Sequence, residues 1–245
     1  MHKFLLVVII TVLFVGCKKE DSINAQSIVD KSIEISGGKK TNNSTIHFNF
    51  RKRHYKAIRS KGTYQLEREF KDSLNVIKDI LSNEGFKRYI NSELVKVTDS
   101  MIPRYSASVN SVHYFSVLPY GLNDAAVNKQ YLDKVKLKGK YYYKIKVTFN
   151  QEGGGEDFDD VFIYWVDAES FKTAYIAYSY AESDGLGFRF REAYNERYVN
   201  GIRFVDYNNY KPKEASATLE KLDELFENDK LQLLSKIELE NISVN

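Results

Sequence analysis

Three groups of residues in this chain have chemistry that goes beyond packing. Glu152, Glu156, Asp157, Asp159 and Asp160 fall within nine residues around Gly153-Gly154-Gly155. A hard cation such as calcium takes several oxygen ligands from a flexible loop, which makes Asp157, Asp159 and Asp160 candidate metal ligands. The spacing lacks the glycine at position 6 and glutamate at position 12 of the twelve-residue calcium loop, and zinc would prefer sulfur and imidazole. The same carboxylates could serve a hydrolase if they converged in a cleft, or they could solvate a hairpin and guard a strand edge. Arg189 and Arg191 alternate with Phe188 and Phe190, so the two guanidinium groups share one face of a strand. There they could fork onto a carboxylate or phosphate or pair with acidic neighbours across strands. Tyr141, Tyr143, Tyr164, Tyr175, Tyr178 and Tyr180 could line an apolar cavity bearing a few hydroxyls, or fill a core. His47, His54 and His113 form no nucleophile–base set by spacing, and His113 reads as a packed helix residue.

The one cysteine, Cys17, has no partner for a disulfide. Met1-His2-Lys3 is a positive start, and Phe4 to Val15 is a stretch of twelve residues, apolar but for Thr11. That length suits a secretion signal and is too short to span a bilayer as a helix. The run Leu13-Phe14-Val15-Gly16-Cys17 resembles the lipobox of bacterial lipoproteins. The resemblance implies a signal peptide over residues 1–16, removed before a Cys17 that carries acyl chains such as palmitate. One acyl chain holds a protein only marginally, at about 0.8 kcal/mol per buried methylene, so two or three chains would anchor it firmly. Residues 17–23 become a lipidated tether. Lys18-Lys19-Glu20-Asp21 is an ordinary solvated linker or, by its resemblance to a tag on some Gram-negative lipoproteins, a surface-export signal.

These residues need elements to position them, and the patterns are mostly those of strands. The 245 residues contain 18 tyrosines and 15 phenylalanines against 3 prolines, a balance that favours β structure. A formal charge of +3 is too small for a nucleic-acid footprint. Residues 24–36 predict an amphipathic helix with Ala25, Ile28, Val29, Ser32 and Ile33 on one face. Ser22 or Asn24 could cap it, and Gly37-Gly38 would stop it. Strands are predicted over 45–50, 62–70, 74–81, 86–90 and 93–98, with turn residues between them. Pro103 interrupts this meander, and 109–118 reads as a buried helix. Strands resume with Tyr141 to Phe149, whose alternate residues face opposite ways. Val161 to Val166 is apolar throughout, which predicts cover on both faces. Further strands are expected over 171–180, 187–194 and 198–207, the last two joined at Asn195-Glu196. A helix over 217–226 and a strand from Leu231 to Leu239 end the chain.

A helix, a double glycine, a strand meander and a helix inserted midway resemble the lipoprotein-carrier fold of the LolA/LolB class. In detail the chain is similar to a family of uncharacterised lipoproteins from Gram-negative bacteria. Ile35-Ser36-Gly37-Gly38, Val112-His113-Tyr114-Phe115, Leu118-Pro119-Tyr120-Gly121-Leu122-Asn123-Asp124 and Gln151 to Gly155 carry that likeness. It continues through Asp157 to Asp160, Tyr164-Trp165, Phe188 to Asn195 and Gly201-Ile202-Arg203-Phe204. The resemblance implies a mainly β (α+β) fold, a single strongly curved antiparallel sheet or incomplete barrel with a few covering helices, over one domain from 24 to 245. It implies attachment to the outer membrane, facing the periplasm or the cell surface.

The resulting expectation is a monomeric, non-catalytic envelope lipoprotein, joined to the membrane by Cys17, that binds a lipid-like or other apolar small molecule in the concave face of its sheet. The candidate ligand-binding residues are Tyr114, Phe115, Tyr143, Tyr164, Trp165, Tyr178, Arg189 and Arg191. No cofactor is expected beyond the calcium considered for the acidic loop, and no nucleic acid. Competing readings are an envelope scaffold with an exposed aromatic edge, and a hydrolase built on the carboxylates of the acidic loop.

Overall fold

The structure, a computed structural model, describes residues 24–155, 158–182, 185–214 and 216–245. The signal segment, Cys17 and its tether lie outside the described residues, as do Glu156 and Asp157.

The chain opens with α1 (Ala25–Ile35), set by a reciprocal cap. Ser27 N–H donates to Asn24 Oδ1 at 2.9 Å and Asn24 N–H donates to Ser27 Oγ at 3.2 Å. Its apolar face, Ala25, Ile28 and Val29, is buried as the periodicity predicts. Gly37 ends it in the left-handed region, at φ +83°, and the short α2 (Gly38–Thr41) follows. A Cβ on Gly37 would sit 2.2 Å from the carbonyl oxygen of Gly201. Glycine is therefore required twice over, by the backbone angle and by the close approach of a distant turn.

Among the described residues fourteen strands make two antiparallel seven-stranded sheets. The first contains β1 (Ser44–Phe50), β2 (Arg53–Ser60), β3 (Thr63–Asp72), β4 (Asn75–Ser82), β5 (Gly85–Ile90) and β6 (Glu93–Val95), joined as a meander, with β14 (Glu240–Val244) beside β1. The second runs, as another meander, through β7 (Val127–Leu137), β8 (Lys140–Phe149), β9 (Val161–Asp167), β10 (Thr173–Glu182), β11 (Gly185–Val199), β12 (Ile202–Pro212) and β13 (Leu231–Ile237). The mainly β, antiparallel character with covering helices is what the sequence indicates, but the strands divide into two sheets where one curved sheet was expected. The division falls in the last strand segment, which leaves β12 at Ile237 and joins β1 from Glu240. Asp206 and Arg197 occupy the break: Leu239 N–H donates to Asp206 Oδ1 at 3.0 Å, and Arg197 donates to the Leu239 carbonyl at 2.7 Å. Side chains thus supply the bonds that neither ladder provides.

Four other expectations are corrected. Strands β2 and β7 were not foreseen. In β2 the inward residues Tyr55 and Ala57 are separated by polar neighbours, and the adjacent Ile58 obscures the alternation. Strand β7 is a sheet edge carrying Lys129, Asp133, Lys134 and Lys136, the charge that keeps an edge from pairing further. The midway helix, α3 (Ile102–Ser116), begins at Ile102 and not at Val109, with Pro103 inside its first turn, where its missing N–H is not needed. Asn195-Glu196 does not turn the chain; β11 passes through it with a bulge between Tyr194 and Arg197.

The strand Val161 to Val166 is covered on both faces as predicted. Phe162, Tyr164 and Val166 pack with α1, Ile145, Ile176 and Tyr207. Ile163 and Trp165 face the opposite way, under a late helix, α4 (Leu222–Glu227), with Leu222, Phe226 and Phe190. A third cluster joins the inner face of the first sheet, Ile46, Phe48, Tyr55, Ala57 and Leu66, to Val109 and Val117 at the midway helix and to Phe204 of β12.

Candidate ligand cavity

Helix α3 lies between the two sheets, and each of its sides is held by different chemistry. Towards the first sheet, His113 donates from Nε2 to the Glu67 carbonyl at 3.0 Å. Beside it, Asp79 is fully buried between Arg68 and Arg88, each at 2.6 Å. Arg68 also donates to Ser108 Oγ at 2.6 Å, and the Arg88 guanidinium lies 3.6 Å from the Tyr105 ring centre. Burial drives the His113 pKa down to about 3, and the bond to the Glu67 carbonyl only partly opposes it, so the ring is neutral at physiological pH. Towards the second sheet the contacts are aromatic. Tyr114 and Tyr164 share a hydroxyl–hydroxyl bond of 2.9 Å, and burial raises both pKa values. The Phe115 ring packs 6.1 Å from Phe162 and 5.5 Å from Tyr178.

Between these attachments the sheets do not meet, and a cavity of about 1040 Å³ remains. That is at the upper end of the roughly 300–1,000 Å³ typical of small-molecule sites. Leu66 and Leu81 wall it on the first sheet, Phe149, Phe162 and Tyr178 on the second, and Val112, Tyr114 and Phe115 on α3. The helix residues are only partly buried because one side of each borders this space. The glycine run forms part of the rim. A Cβ on Gly154 would stand 2.2 Å from the Asn150 carbonyl oxygen and 2.8 Å from Phe158 Cβ, so only glycine lets the loop fold against β8.

The cavity is also where polar groups go unsatisfied. Among the described residues five buried side-chain atoms lack a hydrogen-bond partner, and three belong to its lining: Arg59 Nη1, His113 Nδ1 and Arg191 Nε. Arg191 is 8% exposed and reaches in from β11, in the same cross-strand row as Ile145, Tyr164 and Ile176. Its guanidinium lies 3.8 Å from the Phe115 ring centre and donates to the Tyr178 hydroxyl at 2.8 Å. Burial depresses its pKa, with the nearby tyrosines opposing. Arg59, from β2, lies over Tyr120 at 5.3 Å, and its pKa is likewise depressed by burial, with Tyr120 and Asp124 opposing.

Of the residues singled out from sequence, His113, Tyr114, Phe115, Tyr178, Tyr180, Arg191 and Asp160 border the cavity. Tyr143 and Tyr164 lie in the core on the same face of the second sheet, Tyr164 directly behind Tyr114. Arg189 stacks on Tyr180 at 4.8 Å and does not line the space. Trp165 and Tyr175 are on the other face of the sheet, beneath α4. Trp165 therefore takes no part in this cavity, because its odd position in β9 sends it to the side opposite Phe162 and Tyr164. Asp159 is exposed, Asp160 borders the cavity and Asp157 is outside the described residues. No three His, Cys, Asp or Glu side chains among the described residues gather as metal ligands would. Arg59 escaped the sequence reading because its strand did; the alternation Tyr55, Ala57, Arg59 was the available signal.

The family profile of DUF6503, a family of unknown function, matches residues 1–239. The chain belongs to that family. No curated protein matches this DUF6503 member. Among solved structures it is similar to a LolA superfamily protein from Nitrosomonas europaea, with 11% identity, a TM-score of 0.51, and coverage of 91% of this chain and 94% of that one. It is also similar to a DUF1329 family protein from Desulfovibrio piger, with 10% identity, a TM-score of 0.44, and coverage of 89% and 92%. The first likeness shows a LolA-like fold for the DUF6503 chain.

Proposed function

We propose that this protein is an envelope lipoprotein, held on the outer membrane of a Gram-negative bacterium by acyl chains on Cys17, that binds an apolar or lipid-like ligand in the cavity under α3 and performs no chemistry on it. The observation that carries the reading is the wall of that cavity. Aromatic and aliphatic side chains from both sheets and from α3 border a space of about 1040 Å³. Apolar surface left facing such a space forgoes about 25 cal/mol per Å² that burial against a ligand would recover. A body tied to a bilayer suits a receptor or a resident binder better than a shuttle, so the ligand is expected to come from or pass to the membrane.

The two halves of the reading are tested separately. Solvent extraction of the purified protein followed by lipid analysis, together with uptake of Nile red as a neutral probe, addresses the cavity. Bound lipid or saturable dye uptake, abolished by filling the space with Val112→Trp, is the expected result; absence of both ends the binding claim. Metabolic labelling with radioactive palmitate addresses the anchor. Label on the wild type and none on Cys17→Ser is expected, and an unlabelled wild type removes the anchor while leaving the cavity intact.

A further inference from the structure

We infer that the cavity takes an amphiphile, an apolar chain ending in a compact anionic headgroup, and that Arg191 reads the headgroup. The inference rests on the cavity being a ligand site and adds the charge of what enters it. Arg191 is buried yet has no carboxylate within ion-pairing distance among the described residues. Among the described residues its one hydrogen bond is to the Tyr178 hydroxyl, and its Nε has none. A guanidinium cannot escape this position by losing its proton, and burying a charge without a partner is among the most costly arrangements a protein can hold. The Phe115 face, at 3.8 Å, offsets part of that cost through cation–π attraction, but it leaves the Nε–H in the guanidinium plane without an acceptor.

Among the described residues the other buried cations are treated differently. Arg68 has Asp79, Lys144 has Asp223 and Arg203 has Glu196. Arg59, also at the cavity, has Asp124 acting on it through space. Arg191 is surrounded by Tyr164, Tyr178 and Tyr207, which bring hydroxyl dipoles and no charge. An anionic group carried in by a ligand would supply the acceptor, and the guanidinium fork fits carboxylate and phosphate alike. The apolar remainder of the ligand would lie against Phe162, Phe149 and Val112.

Calorimetric titration of the purified protein with dodecanoate, dodecyl phosphate and dodecanol, below their micelle concentrations, decides the matter. At least one of the two anions is expected to bind about tenfold or more tightly than dodecanol, and whichever is tighter identifies a carboxylate or a phosphate source. Arg191→Gln is expected to bring the anions down to dodecanol's affinity and leave dodecanol where it was. Should that variant not fold, Arg191→Lys, which keeps the charge and loses the fork, is expected to reduce the preference. Equal binding of dodecanol and both anions to the wild type overturns the inference while the apolar cavity stands. So does a preference that survives undiminished in either Arg191 variant, or one that disappears in Arg59→Gln instead. Failure of all three ligands to bind removes the cavity reading itself.

Discussion

The second sheet presents two faces of similar composition, and they end up as different kinds of place. On one, Lys144, Trp165 and Tyr175 form a row across β8, β9 and β10 beneath α4. Lys144 donates to both carboxylate oxygens of Asp223 at 3.0 Å, and Trp165 Nε1 donates to Asp223 at 3.1 Å. On the other, Ile145, Tyr164, Ile176 and Arg191 form the equivalent row beneath α3. There the cation has only a tyrosine, and open space lies alongside. On the α4 face the cation has its counter-charge, although a smaller space of about 540 Å³ lies beside Lys144 and Asp223 as well. A buried charge lacking one, next to a cavity, belongs to a surface still to be completed from outside.

The contrast can be broken first at Asp223. Replacing it with Ala strands Lys144 and the Trp165 N–H in the core, and is expected to cost about 3–5 kcal/mol in urea denaturation while leaving ligand binding by the folded protein unchanged. A smaller loss would mean that the α4 face is wetter than its packing implies.

A pH titration of stability reads the α3 attachment. His113 has a folded-state pKa of about 3 against an ordinary value of 6.5. Between those values the unfolded chain binds a proton that the native protein refuses, so stability is full above pH 6.5 and falls on acidification towards pH 3. At pH 4 the loss from this residue is of the order of 3 kcal/mol. His113→Gln keeps a donor for the Glu67 carbonyl and removes the titration, so the difference between the two stability profiles should shrink steadily as pH falls from 6.5. A constant difference would assign the acid sensitivity to the carboxylates.

Arg191→Met should have the opposite sign to the substitution at Asp223. Exchanging an unpaired buried cation for an apolar side chain of similar length is expected to raise the stability of the ligand-free protein by roughly 1 kcal/mol or more. Destabilisation would show that the tyrosines and Phe115 already satisfy the charge. The smallest effect is at the lid. Tyr114→Phe removes the bond to Tyr164 and is expected to cost about 1 kcal/mol, with faster amide exchange confined to α3. Exchange that rises throughout the second sheet would make Tyr114 a core residue and not a tie between helix and sheet.

Much of this architecture was legible beforehand. The Asn24 cap, the apolar stripe of α1, the left-handed Gly37 and the doubly covered strand over Val161 to Val166 follow from local rules. The misses have equally local causes. Strand β7 is too charged to show its alternation, β2 has Ile58 next to its inward residues, and Pro103 signals a helix start as readily as a stop. At the site, Arg191 and the aromatic pair Tyr114 and Phe115 were identified from type and spacing, and Arg59 was not.

Strand periodicity by itself determined that Arg191 would share a side with Arg189, opposite Phe188 and Phe190, and that Trp165 and Tyr164 would take opposite sides of their strand. It could not determine which side would bring a carboxylate to its buried cation and which would leave the cation without one beside the larger cavity. That was decided by two helices supplied from distant parts of the chain. Helix α4 brings Asp223 directly onto Lys144 and Trp165, whereas α3 rests its weight on the first sheet through His113, Arg68 and Arg88 and spans the gap to the second with aromatic rings. Alternation is a property of neighbouring residues; what covers a face depends on the placement of segments far away, and no local pattern records it.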